Sequence, residues 1–315
     1  MTDRSTSIDA PLARWSSRLA LFSASVLVVG LVLHRLTSFP TPVAVNLLAV
    51  SAAGSGLAVL LGLVALAQIW RRGYAGAGSA AFGILLPLLT LAWPLTYVPA
   101  LLKLPPINDV TTDTANPPRF LALAGQRAGS GTAVEYPVTR FAPLQKQAYP
   151  DLRSYIVDRP VEEVFDLVSD AARRLKWRVT QSQPPVARSA RGGVIEATDQ
   201  TLVIGFTDDV VVRVEPAGRS ARVDVRSASR YGVHDLGQNA ARVRRFLAEL
   251  QARVDATGPG TVAGRRTLRT TRTGAMVKKV KGRDQPSAEK NRKAESRSGR
   301  APVRSSARRV PSQKE

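Results

Sequence analysis

Cysteine is absent from the 315 residues, which removes disulfide staples, thiol nucleophiles, iron–sulfur clusters and cysteine-based zinc sites together. It does not report the redox compartment, because a chain without thiols survives in either. Histidine is nearly absent: His34 falls in the apolar first third, so Ser-His-Asp chemistry elsewhere would depend on His234. Acidic residues are scarce, with 24 Asp and Glu against 45 Lys and Arg, and the net charge is +21. Charge of either sign is missing from three stretches near the start. Sixteen residues separate Arg18 from Arg35, thirty-five separate Arg35 from Arg71, and thirty separate Arg72 from Lys103. A mean hydropathy near zero thus averages an extremely apolar first third with an extremely basic last sixth. Length alone, which suggests about two soluble domains, misleads here.

Each uncharged stretch is long enough to cross a bilayer, whose hydrocarbon core of roughly 30 Å needs about 20 helical residues. The spans are expected at 17–36, 44–69 and 79–102, after a cytoplasmic segment 1–16. The first reaches full length only if Trp15 sits at the interface and Arg18 and Arg35 snorkel outward. A cleaved signal peptide is the rival reading for it. His34-Arg35-Leu36 is a poor cleavage site, so an uncleaved anchor is expected. None of the spans carries the polar stripe of a soluble helix. Ala52 and Gly56, then Ser79, Gly83 and Pro87, recur one helical turn apart and would let helices approach closely, while Pro87, Pro94 and Pro99 kink the third span. The absence of Asp, Glu, Lys and Arg inside the spans argues against a transporter or channel. Five basic residues (Arg4, Arg14, Arg18, Arg71, Arg72) on one side, against Arg35, Lys103 and Arg119 on the other, place the N-terminus in the cytoplasm. Everything after Lys103 is then expected, after three crossings, on the side of the membrane away from the cytoplasm.

Residues 104–148 hold prolines at 105, 106, 117, 118, 137 and 143, a density that forbids long helices and interrupts strands. They read as an extended strap. Within it, Asp109, Asp113 and Asn116 belong to a run of Asn, Asp and Thr that forms Asx and ST turns, or alternatively offers ligands to an ion. Residues 149–254 have the periodicities of an α+β domain, an antiparallel sheet with two helices, and are long enough to bury a core. Pro160 opens the first helix, with Glu162 and Glu163 in its first turn and Arg173 and Arg174 at its end, as the dipole favours. Strands are expected at 151–157, 177–182, 193–198, 202–206, 209–215 and 222–229. The last two form a hairpin in which Val212 faces Val225 and Arg213 faces Asp224, giving one apolar and one charged sheet face. Asp235 opens the second helix.

The strap Ile107-Asn-Asp-Val-Thr-Thr-Asp-Thr-Ala-Asn-Pro-Pro-Arg-Phe120 is one of several blocks that carry a resemblance. The others are Pro160-Val-Glu-Glu-Val-Phe165, the run Gly205-Phe-Thr-Asp-Asp-Val-Val-Val-Arg-Val214, Val223-Asp-Val-Arg-Ser-Ala-Ser-Arg230 and Asp235-Leu-Gly-Gln-Asn-Ala240. Over residues 105–252 the chain resembles the domain of unknown function 1499 family. That resemblance implies a bacterial, often membrane-attached domain without assigned activity, and it supplies no catalytic residues.

The residues themselves designate no catalytic group, metal site or cofactor. Ser227, Ser229 and Asp235 are close to His234 in sequence, but adjacent residues on a turn rarely share a proton path. Asp208, Asp209 and Asp224 would suit a hard cation, and equally a turn with a cross-strand ion pair. The sharper candidate is an anion site where the last strand meets the last helix, using Arg226, Ser229, Arg230, His234 and Asn239. Against it, Asp235 is a natural cap for the same helix donors. The last segment, 255–315, carries seventeen Lys and Arg against five Asp and Glu and too little apolar surface to fold alone, so it is expected to be disordered. Its charge suits anionic headgroups or polymers, and nucleic acid only if it is cytoplasmic. The expected whole is a three-helix transmembrane bundle, a strap, an α+β domain and a basic tail, with membrane lipid as partner. Its leading function is a non-enzymatic envelope module; the alternatives are an envelope hydrolase or transferase, and a nucleic-acid tether.

Overall fold

Residues 10–37, 39–130, 132–186 and 191–258 are described by the computed structural model. The expected disordered tail, beyond Gly258, and most of the segment 1–16 lie outside the described residues.

The apolar first third forms α1 (Pro11–Leu36), α2 (Thr41–Arg72) and α3 (Ala77–Leu95), each long and apolar enough to cross a membrane. Their packing inverts that of a soluble bundle. The buried seams are small residues at alternating three- and four-residue steps: Ala13, Ser16, Ala20 and Ser23 on α1, Ser51, Ser55, Ala58 and Gly62 on α2, Ala80, Gly83 and Pro87 on α3. Large side chains such as Phe22, Val29, Leu57, Leu63, Leu85 and Leu89 point outward. In water that arrangement would expose the residues that drive folding; in lipid it costs nothing, and small seams bring backbones close enough for dispersion and hydroxyl bonds. Ser16 Oγ donates to the Ala58 carbonyl at 2.8 Å and Ser51 Oγ to the Ser23 carbonyl at 2.7 Å. Of the small residues singled out in the sequence, Gly83 and Pro87 are in the seam, whereas Ala52 is exposed and nothing approaches Gly56. Exposed Trp15 and Trp70 stand with Arg14, Arg18, Arg71 and Arg72 at one end; Trp93 and Tyr97 meet edge-to-face at the other.

The third span is broken rather than kinked. α3 ends at Leu95 and a short α4 (Val98–Lys103) follows, because Pro99 has no N–H to give to the Leu95 carbonyl.

Beyond Lys103 come β1 (Asp109–Thr111), α5 (Ala124–Gly129), α6 (Val138–Ala148), β2 (Tyr155–Val157), α7 (Val161–Arg174), β3 (Arg178–Gln183), β4 (Gly193–Gln200), β5 (Thr207–Ala217), β6 (Ser220–Ser229) and α8 (Gln238–Ala256). The sheet is antiparallel with order β1-β6-β5-β4-β3, and β2 also pairs with β6. The expected hairpin register holds: Val212 lies opposite Val225 and Arg213 opposite Asp224. Gly218, at φ 68°, occupies the left-handed backbone position that its tight turn needs. α7 and α8 cover one sheet face, packing Val164, Leu167, Val168, Val243, Phe246 and Leu250 on the valines of β5 and β6. Trp177 stacks on Phe246 with centroids 5.1 Å apart. A buried side chain of this size contributes roughly 1.5–3 kcal/mol, so this layer dominates the domain's stability.

Two expectations are corrected. The strap is not extended throughout: it supplies β1, the helices α5 and α6, and Ile107, Val110, Tyr136 and Phe141 to the core. The segment 202–206 is not a strand but the loop joining β4 to β5. Thr201 Oγ1 accepts the N–H groups of Gly205 and Phe206, and the Thr201 N–H donates to the Phe206 carbonyl, so the backbone groups that would pair with a neighbour are spent within the turn.

Candidate functional site

Charged side chains lie on both faces of the sheet, and the strap decides what one face can do. Arg226, on β6, is 1% exposed. Its Nε and Nη2 donate to Asp109 at 3.0 and 2.7 Å, and its remaining donors reach the Pro118 and Val134 carbonyls. Its guanidinium sits 4.6 Å over the Phe120 ring, whose centroid also lies 4.9 Å from the Arg127 guanidinium. Arg127 in turn donates to Asp209 at 3.0 Å, and Arg230 donates to the same carboxylate at 2.6 Å. Glu196, fully buried on β4, accepts the backbone N–H groups of Leu121, Ala122 and Leu123 at 2.8 to 3.0 Å, holding the strap just before α5. Gln145 of α6 pairs with the free edge of β1, accepting from the Thr111 N–H at 3.0 Å and donating to its carbonyl at 2.6 Å. The charged face is therefore roofed and neutralised from within the chain.

Asp113 and Asn116 behave as turn residues with one addition. Asp113 Oδ1 accepts the N–H groups of Ala115 and Asn116, closing the Asx turn. Its other oxygen and the Asn116 carbonyl take Arg213 Nη2 at 3.2 and 3.0 Å, and the same nitrogen donates to Asp224 at 2.8 Å. Asp208, Asp209 and Asp224 are divided between faces: Asp208 meets Arg242 of α8 at 2.6 Å, while the other two sit under the strap. Among the described residues no group of three or more His, Asp or Glu side chains is gathered to hold a metal ion.

At the passage from β6 to α8 the structure brings together only Ser229 and Asn239 of the expected anion site; Arg226 and Arg230 bond Asp109 and Asp209 under the strap, and His234 bonds the backbone of Leu104 and Leu236. Asn239 accepts from Ser227 at 2.7 Å and donates to Ser229 at 3.0 Å, and Arg242 bonds Asn239, Asp199 and Asp208. His234 Nδ1 accepts the Leu236 N–H at 2.9 Å, so its Nε2 carries the proton and donates to the Leu104 carbonyl at 3.2 Å. Ser227 and His234 are thus engaged separately. Asp235 does not itself open the helix, because α8 starts at Gln238 with Gly237 in the capping position, but its carboxylate still takes the nearby donors, accepting from the N–H groups of Gly237 and Asn239 at 2.9 and 2.8 Å.

Burial sets the protonation behaviour here. Asp235 is held above the ordinary carboxylate range, chiefly by desolvation and secondarily by the Asp208 charge, against the pull of its backbone donors. Burial also pushes the Tyr149 phenol up to about 12, with Asp235 adding and Arg244 opposing. Its hydroxyl has no hydrogen-bond partner among the described residues. The Tyr136 phenol is raised by burial, then by Asp109, against Arg226.

Arg127, Gln145, Glu196 and Arg242 were not singled out in the sequence. Arg127 meets Asp209 across a separation of 82 residues, which no spacing rule can reach. Glu196 did leave a signal: a lone acid in the apolar run Gly193-Val-Ile-Glu-Ala-Thr198 marks a buried carboxylate with dedicated donors.

Fold and site define an α+β domain, borne on a bundle of apolar helices, whose arginine–carboxylate face is closed by its own strap. Residues 109–250, just under half of the chain, match the model of a family described as protein of unknown function (DUF1499), so the likeness read from the strap and hairpin blocks holds. No curated protein matches the chain. A solved structure, the crystal structure of TTHA0849 from Thermus thermophilus, aligns at 16% identity over 33% of this chain and 94% of that one. Its TM-score of 0.19 carries no argument about fold or function.

Proposed function

We propose that this is a multi-pass protein of the bacterial inner membrane, in which α1, α2 and α3 cross the bilayer and hold the domain on the periplasmic side as a non-enzymatic module for a lipidic or anionic partner. The observation that carries the reading is the inverted bundle, with small residues in its seams and Leu, Val, Phe and Trp outward. A bundle of that kind has lipid as its only favourable surroundings. The orientation rests on the excess of Arg at the Trp15 and Trp70 end. The non-enzymatic reading is supported by the way the domain's Ser, His and Asp side chains are committed to separate partners, with Ser227 on Asn239 and His234 on Leu236. An anionic partner suits the seventeen Lys and Arg of the last segment and Arg230, the most solvent-accessible arginine of the junction.

Carbonate washing tests the anchor: the full chain stays with the vesicle pellet, and release into the supernatant overturns the reading. A compartment-sensitive reporter fused after Glu315 tests the orientation; activity in the cytoplasm would reverse it and turn the basic segment toward nucleic acid. Removing residues 259–315 is expected to weaken, in a salt-dependent way, the capture of reconstituted protein by anionic vesicles. Unchanged, salt-insensitive capture would remove the anionic partner from the proposal.

A further inference from the structure

The end of the sheet nearest the bundle carries apolar side chains that nothing in the domain covers. Two loops emerge there. The β4–β5 loop, 201–206, presents Leu202 at 87% and Val203 at 48% exposure, and the β6–α8 loop presents Val233 at 72%. They share one end because Gln200 pairs with Thr207, and Ser229, the last residue of β6, lies opposite Asp208.

Both loops are tied to the ends of the apolar helices. His34 Nδ1, in the last turn of α1, donates to the Ile204 carbonyl at 2.8 Å, and its ring meets Phe206 edge-on at 5.6 Å. His34 Nε2 is 3.1 Å from Thr41 Oγ1, at the first residue of α2, so the ring bridges loop and bundle. Arg35 donates to Gln200 at 3.1 Å and lies along Gly205. The second loop is fastened through His234 to the carbonyl of Leu104, which directly follows α4. At no more than about 3.6 Å per residue, Leu202 stands within about 7 Å of Ile204, and hence near the level of the last turn of α1. Leu36, beside them, is 77% exposed. In a turn whose backbone is satisfied by Thr201, no packing or pairing need within the domain accounts for a Leu and a Val facing outward.

We infer that Leu202, Val203 and Val233 are seated in the headgroup and upper acyl region of the same bilayer that α1–α3 cross, so that this end of the domain lies on the membrane as a second, peripheral attachment. The inference rests on the anchoring proposed above and adds which face of the domain touches lipid. Apolar loop tips partition into that region by the hydrophobic term alone, and Arg35 and Lys103 at the same level suit phosphate headgroups.

The lack of cysteine makes the test direct. Four full-length variants, Leu202→Cys, Val233→Cys, Arg219→Cys and Leu57→Cys, are labelled with an environment-sensitive fluorophore and reconstituted into vesicles of mixed neutral and anionic phospholipid. Arg219 lies in the β5–β6 turn at the opposite end of the sheet, and Leu57 faces outward from the middle of α2. The labels at 202 and 233 are expected to lose most of their quenching by aqueous iodide and to be quenched by lipids bearing a nitroxide near the headgroup. The label at 219 stays open to iodide, and that at 57 is quenched by a nitroxide deep in the acyl chain. If 202 and 233 are as open to iodide as 219 while 57 is quenched from the deep position, the loop inference fails and the anchor stands. If 57 escapes the deep quencher, the anchor fails and the inference with it. Labels at 202 and 233 shielded from iodide but untouched by any nitroxide lipid would put protein over the loops, which also overturns it.

Discussion

At the residue scale the domain is held by arginines that are never left alone. Arg226 and Asp109 are both nearly inaccessible and their charges are 2.7 Å apart. Removing one partner of such a pair strands the other in a low-dielectric interior, so Asp109→Ala is expected to cost about 3–5 kcal/mol, read as a lowered unfolding midpoint in detergent. Replacing both with apolar residues, as in Asp109→Leu with Arg226→Met, is expected to cost clearly less; an equal or larger loss would show that hydrogen bonds to the strap carbonyls, not the charge pair, dominate. Titration separates two carboxylates by sign. Asp235 has its folded pKa raised above the ordinary 3.8, so its contribution to stability is full below that value and is lost as pH rises through the folded one. Asp151, whose pKa is lowered mainly by its hydrogen bond from Arg244, behaves oppositely: its contribution is present above 3.8 and lost as pH falls through the folded value. Carboxyl chemical shifts followed by NMR check both, and Arg244→Ala should return Asp151 toward its ordinary value. A midpoint for Asp235 at or below 3.8 would contradict the burial argument. The Asp151 pair is about half-exposed and adds little stability.

At the scale of elements, the bundle depends on close approach and the sheet on what covers its edges. A Cβ built on Gly83 would fall on the Ser16 hydroxyl and press its backbone, whereas one on Gly56 meets nothing within 4 Å. Gly83→Ala is therefore expected to lower the thermal midpoint of the detergent-solubilised chain through an overpacking cost of about 1–3 kcal/mol, while Gly56→Ala leaves it unchanged or slightly raised. Equal midpoints for the two would mean that α3 does not pack on Ser16. The strap shows the same logic in polar form. β1 is only three residues long, and on its free edge the N–H and carbonyl of Thr111 are taken by the Gln145 amide instead of another strand, which shortens what a second chain could pair with.

At the scale of the whole molecule, the domain is joined to the bundle twice, covalently through α4 and non-covalently through His34 and Arg35. A single flexible connection would let the domain swing; two connections fix its tilt on the bundle. The double variant His34→Ala with Arg35→Ala is expected to leave domain unfolding unchanged but to broaden the distance distribution between spin labels placed at Arg219 and at Trp15. An unbroadened distribution would assign the orientation to α4 alone. If the domain is a lipid-facing module, this second joint sets which loops reach the bilayer.

Much of this was legible in the chain itself. The three uncharged stretches, the helix opened by Pro160 and closed by Arg173 and Arg174, and the Val212–Val225 register follow from local periodicity and charge, which act over a few residues and leave their mark in sequence. The strap's turn at Asp113 was readable for the same reason, since its donors lie two and three residues away. What only the tertiary structure decided are the partnerships at long range: Arg127 with Asp209, Glu196 with the strap amides, His34 with Ile204. Their chemistry needs one charge or donor beside another, and sequence distance places no constraint on which. The misread segment 202–206 shows the limit most clearly. A short run of Leu, Val, Ile and Phe looks the same whether it pairs as a strand or turns back on itself in a loop, and only the bonds it makes, to Thr201 within the turn and to His34 of α1, tell the two apart.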